Sequence, residues 1–399
     1  MSLTFLALLS CEQPECARPA YHRAECRVQA ENVLARLQTS EGVELRFQDA
    51  RGSRVDSGSS DSWSADSWST TGMLRNQQDG PVIARIATLG NFRLSIQTEQ
   101  STTLSLVLDN VDPRIPPLEG EVSSSGLRRE LKLDLEPGVS WVVGELPDSL
   151  CSGAFRLAAA GDIQTNPLQF RQIIDSLHTE ASQALAAGEP LLGLVLLGDI
   201  SEHSEPDELT QVLELLASSP VPVAVIPGNH DVYASSDAVF NRLVGPGNLS
   251  FDLCSARVAL FDTGSGSLAP SIEGRLPEIF DGQQPHLIAG VHHPPMPGNT
   301  SGGWSDELSA ATLLAEFTQA GGELILAGHV HERLEMLDGP VPQVVVGTLG
   351  ADQVEVDPDY GYLRVSVQEQ LSWCFVPVSA SGSPGASRPP PEDCLSVTP

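Results

Sequence analysis

Residues 151–378 predict a layered α/β domain on a largely parallel sheet, and residues 41–150 predict a small antiparallel β-sandwich before it. Three observations carry this. Past Cys151, apolar runs of strand length alternate with segments whose apolar residues recur at helical spacing. Several of those runs end in Gly followed by Asp, Asn or His, and the carboxyl ends of strands are where such sheets place ligands. Upstream, short alternating runs are separated by Gly, Pro, Asn and Asp clusters, the mark of antiparallel strands and turns.

The elements follow in order. Residues 1–40 form a leader-like segment and a polar, Cys-containing linker with a short helix over Ala24–Leu37. Val43–Phe47, Leu94–Gln97, Thr103–Leu108 and Leu131–Leu135 alternate apolar and polar residues, as half-buried strands do. Ser53–Thr71, rich in Ser, Asp and Trp, reads as an exposed loop. The sandwich region holds no catalytic motif, so its expected role is structural or substrate-presenting.

Phe155–Ala160 then reads as a buried strand ending in Gly161-Asp162. Ile173, Ile174, Leu177, Ala181, Ala184 and Leu185 mark a helix. Leu191–Leu197 is a second strand, ending in Gly198-Asp199. Leu209–Leu216 is a second helix, and Val221–Ile226 a third strand, followed by Pro-Gly-Asn-His-Asp231. Leu287–Val291 leads to His292-His293-Pro-Pro295. After a helix over Leu308–Phe317, Glu323–Ala327 leads to Gly328-His-Val-His331. Val344–Val346, Tyr362–Val367 and Trp373–Val376 read as closing strands, and residues 379–399 as a Ser- and Pro-rich disordered tail.

Composition bounds the function. A 399-residue chain that is 41% apolar can fill a core, while a formal charge of −30 disfavours nucleic-acid polymers and anionic membranes. No run reaches the 18 apolar residues of a spanning helix. The apolar run Leu3–Ser10 is short and has no Lys or Arg before it. It nevertheless ends at Cys11 as Leu-Leu-Ser-Cys, which resembles a bacterial lipoprotein cleavage box with Cys11 as a candidate lipid anchor. Setting Cys11 aside leaves six of seven cysteines, none in a CxxC pair, compatible with three disulfides in any of 15 connectivities. Export to the cell envelope or beyond is therefore expected.

Five strand ends carry Asp162, Asp199, Asn229-His230, His292 and His329-x-His331. Oxygen and imidazole donors without thiolate suit Zn, Mn or Fe rather than a structural Cys-zinc site. On an extended segment His329 and His331 would point the same way and reach two neighbouring ions, bridged by an Asp at a central strand end. His230 can carry a proton near neutrality, and Asp231 is placed to hold it in one tautomer.

The order Asp-x-x, Gly-Asp, Gly-Asn-His-Asp, His, Gly-His-x-His over residues 154–378 resembles the calcineurin-like metallophosphoesterase superfamily. The resemblance implies a four-layer αββα sandwich. The β-sandwich ahead of it, fibronectin-III-like, is similar to the layout of purple acid phosphatase relatives. Carried over motif by motif, Asp162 and His331 would bind one ion, Asn229, His292 and His329 a second, and Asp199 would bridge them. His293 would support this shell. His230, steered by Asp231, would protonate the leaving group or stabilise the phosphoryl oxygens. The implied cofactor is a pair of divalent or trivalent ions (Mn, Fe or Zn), and the implied reaction is hydrolysis of a small phosphodiester or phosphomonoester by a metal-bridging hydroxide.

Two residues depart from the pattern. Gln164 stands where the family has His; it either ligates through its amide oxygen or hydrogen-bonds a metal-bound water. Glu202 stands where purple acid phosphatases have Tyr, so no tyrosinate-to-iron colour is expected. His203, near Asp199, is a remote substitute for the missing His, and Trp304 is a candidate for stacking on a base. The alternative is a metal-binding or cell-surface binding module that keeps the fold without turnover.

Overall fold

The structure, a computed structural model, describes residues 24–48, 71–77, 80–233, 239–296, 303–351, 360–378 and, as backbone, 393–396. Cys11 and all of the Ser53–Thr71 loop except Thr71 lie outside the described residues.

Residues 36–144 form two sheets. One orders the strands Arg36–Gln38, Glu44–Phe47, Phe92–Thr98 and Gly138–Gly144. The other orders Gly72–Asn76, Val82–Ile86, Thr102–Asp109, Arg128–Leu135 and Glu121–Ser125. Phe47, Phe92, Leu94 and Ile96 of the first sheet share one apolar core with Ile86, Leu106, Leu108 and Leu131 of the second, so the two face each other as a sandwich. One pair departs from the antiparallel expectation. Val82–Ile86 runs parallel to Thr102–Asp109, because the strand between them in sequence, Phe92–Thr98, crosses to the opposite sheet.

Two six-stranded sheets follow. The first orders Val223–Ile226, Leu191–Leu197, Phe155–Ala160, Gly361–Val367, Leu371–Pro377 and Asp393–Ser396; its first three strands are parallel. The second orders Leu249–Leu253, Ala256–Leu260, His286–Val291, Leu324–Ala327, Gln343–Val346 and Arg333–Met336, with four parallel strands at its centre. The sheets face each other across Leu157, Leu197, Ile226, Leu260, Ile288, Leu326 and their neighbours. Each fully buried aliphatic side chain of this kind contributes roughly 1.5–3 kcal/mol.

Helices cover both outer faces and complete the four layers. Pro167–Ala186 begins at Asn166, whose side chain caps the Gln169 N–H at 3.1 Å, with Pro167 in the first turn. It buries Phe170, Ile173, Ile174 and Leu177 on the first sheet, beside Pro206–Leu216. Glu307–Gln319, capped by Asp306, packs with Leu276–Phe280 on the second. The helix at the start of the described chain, Ala24–Leu34, is shorter than expected, since Arg36–Gln38 is already a strand. It is no linker: Ala24 and Val28 join the apolar cluster on the second sheet.

Further elements lie where the sequence predicts none or a disordered tail. Leu249–Leu253 is a strand paired with Ala256–Leu260, and Pro270–Glu273 and Leu276–Phe280 are helices ahead of His286–Val291. The tail is not wholly without structure, because Asp393–Ser396 extends the first sheet with Cys394 opposite Cys374. Cys151 and Cys254 form a disulfide that ties the start of the α/β domain to the Leu249–Leu253 hairpin; Cys26 and Cys374 are also disulfide-bonded. Among the described residues, no helix is long and apolar enough to cross a membrane.

Candidate metal centre

The two central parallel sets point their carboxyl ends at one place. Phe155–Ala160 delivers Asp162, Leu191–Leu197 delivers Asp199, and Val223–Ile226 delivers Asn229 and His230. From the facing sheet, His286–Val291 delivers His292 and His293, and Leu324–Ala327 delivers His329 and His331. The turns are sharp: Asp162, Gln164, Asp199, His329 and His331 all have positive φ, between 43° and 74°. Strained backbone of this kind concentrates at functional sites. The loops also meet backbone to backbone. A Cβ on Gly228 would lie 2.2 Å from Asp199 Oδ1, so only glycine lets the two turns close on each other.

Six side chains fall into two groups. One potential ligand atom from each of Asp162, Asp199 and His331 lies within 4.8 Å of the others, and the same holds for His292, His293 and His329. Asp199 joins the groups, with Oδ2 3.3 Å from His292 Nε2. Asn229 Oδ1 lies 2.9 Å from that same nitrogen. Gln164 turns its amide nitrogen to Asp199 Oδ2 at 3.2 Å, which leaves its amide oxygen free of that contact. His329 and His331 do not sit on an extended strand as expected. Their left-handed φ values of 74° and 60° turn one imidazole toward each group.

The expected His230–Asp231 dyad is not formed. Asp231 is fully buried and accepts the N–H groups of Gly228, Ile200 and Ser201 together with the Ser201 hydroxyl. It fastens the Asp199 loop to the Asn229 loop. His230 instead sets its Nδ1 on the Glu202 carbonyl oxygen at 2.9 Å, while its own backbone N–H donates to Asp199 Oδ1 at 2.8 Å. Trp304 is also corrected: it is buried, and its indole N–H donates to the His293 carbonyl at 2.7 Å, so it braces the site and offers no face to a base. His203 is exposed and turned to the Glu202 carbonyl, outside both groups.

Two positions escaped the sequence reading. Thr263, at the tip of Ala256–Leu260, accepts the N–H groups of His292 and His293 on its hydroxyl and His293 Nδ1 on its carbonyl. The signal was present as Phe261-Asp-Thr-Gly264, another acidic turn at a strand end, hidden because that strand was not recognised. Tyr233, exposed, sets its ring edge-on to His230 at 5.4 Å.

The electrostatics call for cations. Burial drives the Asp162 carboxyl well above its ordinary range and Asp199 adds to this, against the pull of His292. Burial would raise Asp199 too, but His292 outweighs it and holds that carboxylate low. Burial opposes a charge on His292, yet Asp199 beside it pushes the imidazole up to about 9. Burial, then His292 and His329, keep His293 neutral. Burial and Asp199 push Asp231 up to about 6. Among the described residues no Lys or Arg pairs with any of these three carboxylates. Buried carboxylates of one site need positive charge, and the surrounding imidazole and amide donors are those of a transition-metal site.

Residues 155–333 match the family model described as calcineurin-like phosphoesterase. They form a calcineurin-like phosphoesterase domain. A probable cyclic nucleotide phosphodiesterase of Fibrobacter succinogenes is 28% identical over 160 residues, which is 38% of this chain and 57% of that protein. The 3′,5′-cyclic adenosine monophosphate phosphodiesterase CpdA of Escherichia coli K12 is 26% identical over 156 residues, 36% of this chain and 55% of that protein. The chain thus spans about half the length of the curated relatives it matches. Among solved structures, purple acid phosphatase PPD1 from yellow lupin (Lupinus luteus) is similar over 73% of this chain and 70% of that one, at 16% identity and a TM-score of 0.46. The matched residues 155–333 include the strand tips that deliver Asp162, Asp199, Asn229, His292, His329 and His331, while Gln343–Val346, Gly361–Val367 and Leu371–Pro377 complete the two sheets beyond them.

Proposed function

We propose that the chain is a metal-dependent hydrolase of small phosphoesters, with phosphodiesters as the first class to test. The observation that carries this reading is the meeting of Asp162, Asp199 and His331 with His292, His293 and His329, all from strand tips and, among the described residues, with no Lys or Arg paired to the two acids. The names of the two bacterial relatives favour the diester, and cyclic nucleotides are the natural candidates.

Asp162, Asp199, Gln164 and His331 would hold one ion, and Asn229, His292 and His329 a second, with Asp199 shared. Paired divalent ions supply charge to hold phosphoryl oxygens and acidify water. The protein does the rest. The Glu202 carbonyl keeps one proton of His230 on Nδ1, so in the imidazolium form the proton on Nε2 is the one that would pass to a leaving oxygen, returning the ring to its neutral Nδ1–H tautomer. Asp199 orients the same residue through its backbone N–H. Asp231 holds two ligand-bearing loops at fixed spacing. Disulfide-bonded Cys26, Cys151, Cys254 and Cys374 support an oxidising, exported setting.

The test is hydrolysis by a chain starting at Glu12, loaded with Mn²⁺ or Zn²⁺, of bis-p-nitrophenyl phosphate, p-nitrophenyl phosphate and cyclic AMP. Turnover of any of these by the parent, and loss of roughly 10²-fold or more in His230→Ala, supports the reading. A folded protein that binds both ions and hydrolyses none of the three overturns it.

A further inference from the structure

We infer that His293 is itself a metal ligand, which makes one cation position a cluster of three imidazoles beside a neighbour built from oxygen donors. The inference rests on the two-ion reading above and concerns which residues hold each ion.

The geometry leaves His293 little else to do with its second nitrogen. The ring is buried, 6% exposed, and Nδ1 is committed to the Thr263 carbonyl at 2.7 Å. A hydrogen on Nδ1 leaves a lone pair on Nε2. His292 is held the same way, with Nδ1 on the Leu197 carbonyl at 2.8 Å and Nε2 turned inward. Backbone carbonyls that fix the far nitrogen are the usual means of orienting metal-binding imidazoles. The rings are in contact: His293 lies 4.2 Å from His329 and 4.9 Å from His292, centroid to centroid. The backbone of His293 is pinned on both sides, its N–H by the Thr263 hydroxyl and its carbonyl by the Trp304 indole. A side chain that only filled space would not need its ring plane, tautomer and main chain all fixed.

The consequence is asymmetry. One position has three imidazoles with the Asn229 oxygen. The other has Asp162, Asp199 and the Gln164 amide with a single imidazole, His331. Imidazole favours Zn and Co, whereas carboxylate and amide oxygens suit Mn and Mg. The replacement of a family histidine by Gln164 and the addition of His293 shift the two positions in opposite directions. The ions should load in sequence, the three-imidazole position first.

The test is X-ray absorption on the metal-free protein given one equivalent of Zn²⁺, which counts imidazoles at the first-filled position. Three imidazoles are expected; two or fewer overturn the inference. In parallel, His293→Asn keeps a donor where Nδ1 sits and removes Nε2. The first equivalent of Co²⁺ should bind about tenfold or more weakly, with a changed visible spectrum, while the metal-free melting temperature holds. Unchanged affinity and spectrum overturn it. If the variant fails to fold, the absorption count on the parent decides alone. A parent with three imidazoles on zinc but no ester hydrolysis would sink the catalytic reading and leave this one standing.

Discussion

Arg27 reaches Asp262 across 235 residues of sequence, its Nη2 2.9 Å from Oδ1 and its Nε on Oδ2, with both side chains buried. The same Nη2 donates to Ser265, and Asp262 also caps the Gly264 N–H. Enclosed by these contacts is Thr263, on which His292 and His293 hang. The helix Ala24–Leu34 lies outside the matched residues 155–333, yet it braces the loop that orients two imidazoles.

Removing one partner of a buried ion pair leaves a charge without compensation, at roughly 3–5 kcal/mol. Arg27→Met should therefore lower the urea midpoint markedly. Adding Asp262→Leu should restore at least half of the loss, because an apolar pair of similar bulk is tolerated there. If the single variant unfolds like the parent, the brace is without weight.

Asp231 offers a cleaner separation of roles. Had it oriented His230, Asp231→Asn would slow turnover and leave metal content intact. Its carboxylate instead accepts three backbone N–H groups and a hydroxyl on the loops that carry Asp199 and Asn229. An amide puts a donor against donors. The expected outcome is lost metal, fewer than two ions per chain by elemental analysis, and lost stability of about 2–4 kcal/mol.

Glu202 is predicted to be dispensable as a side chain. Its carbonyl oxygen, not its carboxylate, receives His230 Nδ1 at 2.9 Å, whereas the nearest carboxylate oxygen lies at 3.7 Å. Glu202→Ala should keep the rate within about threefold of the parent, while His230→Ala loses far more. Comparable losses in both would show that the carboxylate matters after all.

These positions also show what the sequence could and could not disclose. Leu191–Leu197 and Phe155–Ala160 are continuous apolar runs because they are buried on both faces, and their tips are short polar motifs, so strand and ligand were legible together. Ala256–Leu260 is interrupted by Arg257, which the fold buries against Asp252, so its period was broken and Thr263 went unseen with it. Ala24–Leu34 was legible as a helix but its packing was not, for a related reason: Arg27 and Glu31 occupy its buried face, where apolar periodicity has little to register. His230 and Asp231 are adjacent in sequence, yet the turn between strand and loop sends their side chains to different partners. Adjacency in a motif is not contact.

Glu31 supplies the prediction in pH. It is buried against the Gly247 N–H at 2.8 Å and the Asn241 and Asn248 amides, and burial first, then Asp262, pushes its carboxyl up to about 8 from an ordinary 4.5. The folded protein thus holds this proton more tightly than the unfolded chain. The associated stability is fully present below about pH 4.5 and is lost as pH rises through 8, with a limiting slope of about 1.4 kcal/mol per unit from this group. Glu31→Gln keeps a neutral side chain of the same shape at every pH and removes that slope. Urea midpoints at pH 5, 6.5, 8 and 9 should show the variant gaining on the parent as pH rises. Parallel curves would mean that Glu31 is already ionised in the fold, with the three amide donors outweighing burial.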